Sequence, residues 1–311
     1  MTGHENEPVP EIRILRHTSL VVPNVDDSAR FYEEVWGLRY VDDKDGSVYL
    51  RGAGCEHHIL ALQPGDHRGV HHISFALDDA KAVDAAAGYL RAQGVEIVDP
   101  PHDSKEPGCG YSLRFLDPDG RVIELSAEAA PLAPAEWKAP VVPKKVSHTV
   151  LNTPDIDRAT DFYTGVLGFR LSDWSAHQMA FLRCNTDHHS VAFNSGPYAS
   201  LNHVAYELPT MEDVMRGVGN FRRLGRTAMW GPGRHGPGDN VFAYFQDPAG
   251  LVCEYTSDIL QIPDESTWVP RVWKRSAESV DRWGTAGLPS EEARAAMLGE
   301  PEPGLMRAPE R

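Results

Sequence analysis

The sequence predicts an α+β chain of four like units arranged as two tandem domains, and three observations carry that reading. Apolar and polar runs follow the order strand, helix, then three strands, and that order recurs along the chain. Matching residues return at an almost constant offset. His17 and His148, Phe31 and Phe162, the pairs His57/His58 and His188/His189, and His72 and His203 all lie 131 residues apart, while the turns starting at Asp117 and Asp247 lie 130 apart. A proline-rich passage at residues 129–143 separates the two copies and reads as a linker. Duplication of a unit of about 120 residues, itself two half-units, accounts for all three.

The elements follow in order. After a polar tail, residues 1–10, the run IRILRHTSLVV at 12–22 reads as a strand, and DDSARFYEEVWGLR at 26–39 as a helix ended by Gly37. Short strands follow at SVYLRG and HHILAL. A second half-unit starts at His71, with strand HHISFAL, a helix closed by Gly94, and strands near EIVDP, SLRFLD and VIELSA, completing a first domain at 11–128. In the second domain, 144–258, VSHTVLN repeats ILRHTSL and FYTGVLGFR repeats FYEEVWGLR. The last half-unit has a helix from Met211, with Thr210 as N-cap, Val214, Val218, Phe221 and Leu224 on one face, and Gly225 as the stop. Past Ile259 the periodicity fails. Trp268, Trp273 and Trp283 suggest that the 259–290 segment packs on the body and covers a site near Glu254, although a surface decoration fits the pattern equally well. Residues 291–311, rich in Pro, Glu, Gly and Arg, are expected to be a disordered tail.

Composition narrows the function classes. A chain of 311 residues can bury two cores, and a net charge of −15 argues against nucleic acid or an anionic membrane as partner. No run approaches the roughly 18 to 20 apolar residues of a membrane span, and MTGHENEPVP lacks a charged-then-apolar leader, so a cytoplasmic protein is expected. Cys55, Cys109, Cys184 and Cys253 form no CxxC pair, which argues against a zinc knuckle and favours buried thiols. The 14 histidines exceed what packing alone asks for.

The stretch from Trp230 to Tyr255 gathers much of the chemistry. GPGRHGPG surrounds His235 with four glycines and two prolines, so this loop should take conformations that side chains forbid. On the next strand Phe242, Tyr244 and Gln246 share a face, and beyond the DPAG turn so do Val252, Glu254 and Thr256. Glu254 lies on a strand built for burial, where a carboxylate needs a partner and a cation is the simplest. His148, His203 and Glu254 sit on first or last strands of half-units, with gaps of 55 and 51 residues. Two imidazoles and one carboxylate on one face of an iron or manganese ion leave the opposite positions open for substrate and O₂. His189, His235 and Tyr244 fall on elements that point into the same cup, where a ring-cleaving reaction needs a proton carrier and hydrogen-bond donors. Taken alone, His188/His189 also reads as a polar strand end.

SHTVLNTPDIDRATDFYTGVLGF, LNHVAYEL, GPGRHGPGDNVFAYFQDPAG and CEYTSD together resemble the two-domain type I extradiol ring-cleavage dioxygenases of the vicinal oxygen chelate superfamily, the glyoxalase/bleomycin-resistance-like fold. The resemblance extends to about Gly284. It implies four βαβββ modules in two domains, each an incomplete cup-shaped barrel. It implies Fe(II), less often Mn(II), held by His148, His203 and Glu254. The family's acid–base histidine lies fourteen residues before the second ligand, which selects His189 over His188, and His235 and Tyr244 match its two further site groups. The implied reaction inserts both atoms of O₂ into a catechol and opens the ring beside the diol, in aromatic catabolism, by an enzyme that is commonly a homo-oligomer. The likeness is greatest to dihydroxycumate- and homoprotocatechuate-type enzymes. Homoprotocatechuate enzymes carry an arginine five positions before the loop histidine, where this chain has Trp230, a departure favouring an apolar or bulky ring substituent.

The first half holds a rival set, His17, His72 and Glu124, with gaps of 55 and 52, and His58 matches His189. Its surroundings differ. Tyr244 corresponds to Arg114 and His235 to Lys105, and a guanidinium in the cup would repel a divalent cation and pair with Glu124, so the first domain is expected to be metal-free. Glyoxalase-type isomerases and hydroxyphenylpyruvate-type dioxygenases share such modules but have no need of His189, His235 and Tyr244 together. A non-catalytic protein that binds aromatic ligands would be expected to have a broken triad, and the one in the second half is intact.

Overall fold

A computed structural model describes residues 8–303 of the chain. In the first domain, β1 (Ile14–Val22), α1 (Val25–Phe31), β2 (Arg39–Lys44), β3 (Ser47–Arg51) and β4 (Leu60–Pro64) form one unit. The next comprises β5 (Gly69–Ala76), α2 (Ala80–Ala92), β6 (Ile97–Asp103), β7 (Tyr111–Leu116) and β8 (Val122–Ala127). The second domain repeats this with β9 (Lys145–Thr153), α3 (Ile156–Gly165), β10 (Arg170–Ser175), β11 (Met179–Arg183) and β12 (Val191–Ser195). Its closing unit is β13 (Ser200–Glu207), α4 (Met211–Arg223), β14 (Trp230–Arg234), β15 (Val241–Gln246) and β16 (Val252–Ser257). Four matched caps start the helices. The side chains of Asn24, Asp79, Asp155 and Thr210 each accept the backbone N–H three residues on, satisfying a donor the helix leaves free.

Each domain is one mixed sheet. The strand orders are β2-β3-β4-β1-β5-β8-β7-β6 and β14-β15-β16-β13-β9-β12-β11-β10, the second extended beyond β10 by β17 (Arg271–Trp273). The first strands of the paired units lie antiparallel at the centre, β1 with β5 and β9 with β13. Each unit's last strand runs parallel to its first, as β12 with β9 and β16 with β13. The ladders stay open at both ends, so each domain is an incomplete cup.

Equivalent residues meet where the domains join. Thr18 and Thr149, 131 residues apart, touch through their hydroxyls at 3.1 Å. Tyr32 donates to Asp247 at 3.2 Å, and its counterpart Tyr163 donates to Asp117, the counterpart of Asp247, at 3.4 Å. Such reciprocity is the mark of a pseudo-two-fold axis. The core is continuous across it: fully buried Trp36 stacks on Tyr255 at 3.7 Å between ring centroids, directly behind Glu254.

Several expectations are corrected. The first helix does not run to Arg39. After Phe31 it widens into a π-helical turn, Tyr32–Trp36, which brings Phe31, Tyr32 and Trp36 onto one buried face before Gly37 ends it. The pairs His57/His58 and His188/His189 precede their strands rather than opening them, whereas His71/His72 lies within β5. Part of the glycine-rich loop is strand β14, and its glycines serve two purposes: Gly231 and Gly238 have positive φ, whereas a Cβ on Gly233 or Gly236 would strike Phe242 or Ser279. Residues 291–298, assigned to a disordered tail, form the helix Glu291–Leu298, capped by Ser290 and anchored by fully buried Ala293. Composition missed it because buried Ala293 and the Asn152 bonds to the Met297 and Leu298 carbonyls, not amphipathic length, hold it. Residues 304–311 lie outside the described part.

Candidate active site

The second cup is built from alternating residues of central strands. On β9, His148, Val150 and Asn152 face inward, and β13 adds His203, β15 Tyr244 and β14 Trp230. Together with the chain beyond β16 they enclose a cavity of about 490 Å³, the size of a small-molecule site.

At its floor the donor atoms of His148, His203 and Glu254 lie within 4.8 Å of one another, all buried. Glu254 Oε2 is 3.2 Å from His148 Nε2 and 3.1 Å from His203 Nε2, and the latter contact lacks hydrogen-bond alignment, leaving that buried nitrogen without a partner. The far nitrogens are occupied. His203 Nδ1 donates to Asn202 Oδ1 at 2.8 Å and His148 Nδ1 lies 3.1 Å from Ser147 Oγ, which turns both Nε2 lone pairs toward one point. Burial alone would raise the Glu254 carboxyl, but His148 and His203 outweigh it and hold it well below the usual carboxylate range. A charged carboxylate and two lone pairs at one buried point, one of them unpartnered, fit a divalent ion.

Three further predicted residues border this point. The His189 ring packs on that of His148 at 4.2 Å and on Phe181 at 5.2 Å. His235 Nδ1 donates to the Val280 carbonyl at 2.8 Å, so its Nε2 accepts from the Tyr244 hydroxyl at 3.0 Å. Tyr244 in turn crosses the His203 ring edge-on at 4.9 Å. Burial pushes the His235 imidazole down to about 4, against an opposing pull from Glu254, and burial with His148 and His188 nearby holds His189 well below its ordinary range. Both rings are therefore neutral at pH 7. Burial, then Glu254, pushes the Tyr244 phenol well up, so it stays a donor.

The sequence did not reveal what fixes the His189 tautomer. Buried Asp173 lies 3.1 Å from His188 Nε2 and accepts that proton, which leaves His188 Nδ1 as an acceptor 3.0 Å from His189 Nδ1. His189 then donates through Nδ1 and keeps an Nε2 lone pair for the cup. Asp173 also accepts from the Trp273 indole at 2.7 Å and the Arg271 N–H at 2.7 Å, so the 259–290 segment braces this chain. A second missed network joins His203 to the C-terminal helix. Asn202 donates to Asn152 at 3.0 Å, and Asn152 donates to the carbonyls of Met297 at 2.8 Å and Leu298 at 3.1 Å. Arg275, also on the cup wall, bonds Gln178 and Asn194 and pairs with no carboxylate among the described residues. Doubled histidines hinted at the first network; nothing local marks the second.

In the first domain His17, His72 and Glu124 also come together, but they are spoken for. His17 Nε2 and His72 Nε2 bond each other at 2.9 Å, and Arg114 donates to Glu124 at 2.8 Å.

With this geometry in view, the comparisons place the chain. The model of the Glyoxalase/Bleomycin resistance protein/Dioxygenase superfamily matches residues 14–125 and again 145–255, and the chain belongs to that superfamily. Metapyrocatechase 2 of Cupriavidus necator is 28% identical over 301 residues, covering 89% of this chain and 90% of that one. The manganese-dependent 2,3-dihydroxybiphenyl 1,2-dioxygenase of Geobacillus genomosp. 3 is 28% identical over 289 residues, covering 85% and 90%. A solved structure, the Mn(II)-bound glyoxalase from Novosphingobium aromaticivorans, is 36% identical with a TM-score of 0.86, covering 97% of this chain and 98% of that one. Among the described residues no helix is long and apolar enough to cross a membrane.

Proposed function

We propose that this chain is an extradiol ring-cleavage dioxygenase of aromatic catabolism, which inserts both atoms of O₂ into a substituted catechol and opens the ring beside the diol. One observation carries the reading: the neutral His189, the His235–Tyr244 pair and the imidazoles of His148 and His203 line a single cavity, with Glu254 buried against both of those imidazoles. An isomerase would not need all three. The relatives named metapyrocatechase and 2,3-dihydroxybiphenyl 1,2-dioxygenase support the same class.

His148, His203 and Glu254 would hold Fe(II) or Mn(II), which when bound supplies Lewis acidity and a meeting point for the two substrates. His189, presenting an Nε2 lone pair, takes a catechol hydroxyl proton and returns it after cleavage. The Tyr244 hydroxyl, whose proton His235 Nε2 accepts in the resting site, would turn that proton toward the substrate oxygens once they bind and stabilise the charge that builds on them. Residues 259–290 and the C-terminal helix exclude water, since Val280, Leu288, Met297 and Leu298 all line the cup.

The wall supports a bulky ring substituent. Trp230 stacks on Tyr244 at 4.9 Å with its N–H held by the Gly287 carbonyl, and unpaired Arg275 offers a cation to a polar end of that substituent. Unpaired cysteines support a reducing, cytoplasmic setting, and the expected homo-oligomer would be measured by light scattering.

The test is anaerobic reconstitution with Fe(II) or Mn(II), then O₂ with alkyl-, carboxyl- and aryl-substituted catechols, following oxygen uptake and visible absorbance. Yellow product with matching O₂ consumption, lost in His203→Ala, is expected. The glyoxalase name of the Novosphingobium neighbour favours a second reading, an isomerase. Turnover of a thiol–aldehyde adduct without O₂ uptake would establish that instead.

A further inference from the structure

The first domain contains a second donor set that shares only His17 with the His17/His72/Glu124 triad. We propose that His17, His58, Glu106 and Cys109 form a second, structural metal site that takes a thiophilic divalent ion such as Zn(II). Their donor atoms all lie within 4.8 Å of one another. The four come from three separate parts of the fold: His17 from β1, His58 from the loop before β4, and Glu106 and Cys109 from the turn at 104–110.

The local sequence explains the turn. In Glu106-Pro107-Gly108-Cys109 the Cys109 N–H bonds the Glu106 carbonyl at 3.3 Å; Gly108 has φ +73, and a Cβ there would lie 2.1 Å from His57 Cγ, so only glycine fits. The turn is thereby pressed onto His57 and His58, and it projects the Glu106 carboxylate and Cys109 thiol into the domain. Cys109 is fully buried.

The inner atoms lack partners. Glu106 Oε1, on a side chain 8% exposed, and His58 Nε2, on one 2% exposed, are buried without a hydrogen bond and face each other at 3.8 Å. Glu106 Oε1 is 4.0 Å from His17 Nε2. A tetrahedral ion with nitrogen, oxygen and sulfur ligands needs donor separations of roughly 3.3–3.8 Å, so the Glu106 contacts to His58 and His17 are already near that range and the whole set, within 4.8 Å, closes by about 1 Å. The ion displaces His72 from His17 Nε2, and His72 Nε2 has Glu106 Oε2 at 3.5 Å in its place.

Arg114 does not forbid this. It engages the other Glu106 oxygen, Oε2, at 2.5 Å and Glu124 at 2.8 Å, leaving Oε1 free. Binding releases the Cys109 thiol proton to solvent. Glu106, Glu124 and the thiolate then carry three negative charges and Arg114 one positive, a remainder that one divalent ion neutralises. A thiolate with imidazole and carboxylate selects zinc-like ions over the harder metal preferred by two imidazoles and a carboxylate.

The experiment strips full-length protein with chelator and titrates it with Co(II), then Zn(II), measuring metal per chain and the near-ultraviolet thiolate-to-cobalt charge-transfer band. The expected result is a band-bearing ion in wild type that persists in His203→Ala and disappears in Cys109→Ser. His58→Phe and Glu106→Gln, which keep the thiol, should weaken that ion at least tenfold. Absence of a thiolate band in folded wild type, or a band unaffected by Cys109→Ser, overturns the proposal. Because the His203→Ala background removes the other centre, failure here leaves the dioxygenase reading standing, and the reverse.

Discussion

The two cups carry the same histidines and glutamate on the same strands, yet only one presents them as a free donor set. The difference lies in the residue paired with the glutamate across the ladder. Tyr244 sits opposite Glu254 and Arg114 opposite Glu124, at the same register in both sheets. A phenol leaves the carboxylate to the two imidazoles. A guanidinium claims it, and the displaced histidines then bond each other. A repeated ligand set is thus not sufficient for a metal centre, because a fixed cation consumes the charge the ion would neutralise.

The sharpest way to break this comparison is to exchange that one residue. Tyr244→Arg should remove the second-domain ion and all ring cleavage while leaving circular dichroism unchanged; metal retained at wild-type stoichiometry would sink the cross-strand account. Next, His189→Asn should keep the metal and lower kcat about 10²- to 10⁴-fold, the usual contribution of a positioned acid–base group. It should also flatten the acidic limb of the pH profile, whereas a merely structural role would change metal content first.

Third is the pH dependence of the metal-free first domain. Burial, then Glu124, pushes the Glu106 carboxyl from its ordinary 4.5 up to about 7, against the pull of Arg114. A carboxyl raised in the folded state holds its proton there after the unfolded chain has lost it. Its contribution is therefore least unfavourable below pH 4.5 and becomes a cost as pH rises to about 7, then levels off. Glu106→Gln should gain on wild type across that window by about 3 kcal/mol at most, read by urea unfolding of chelator-treated protein. Parallel stability curves would show that Glu106 ionises freely. Smallest, Asn202→Ala should weaken second-domain metal affinity about 10- to 100-fold by freeing the His203 tautomer. An unchanged affinity in a competition titration would mean that backbone geometry alone orients the ring.

Much of this was legible beforehand because it is local or repetitive. Side-chain alternation put Glu254 on a buried face, glycines and caps marked the helix ends, and the 131-residue offset aligned His148 with His17 and His203 with His72. What alternation could not supply was contact between distant segments. Asp173 behind His188, Asn152 behind Asn202, and Glu106 beside His58 are joined across the fold by packing, and no spacing announces them. The C-terminal helix was read as disordered for the same reason, since its order comes from Asn152 and a buried alanine rather than from its own propensity.

The sequence by itself determined the duplication, the four-unit architecture and which residue types recur on equivalent strands, because period and residue type are properties of the chain. Tertiary structure alone decided which of two equivalent triads is free, which nitrogen of His189 faces the cup, and that a thiol and a carboxylate in the first domain meet two imidazoles. Those depend on who lies opposite whom across a ladder or a core, a relation that exists only once the chain has closed on itself.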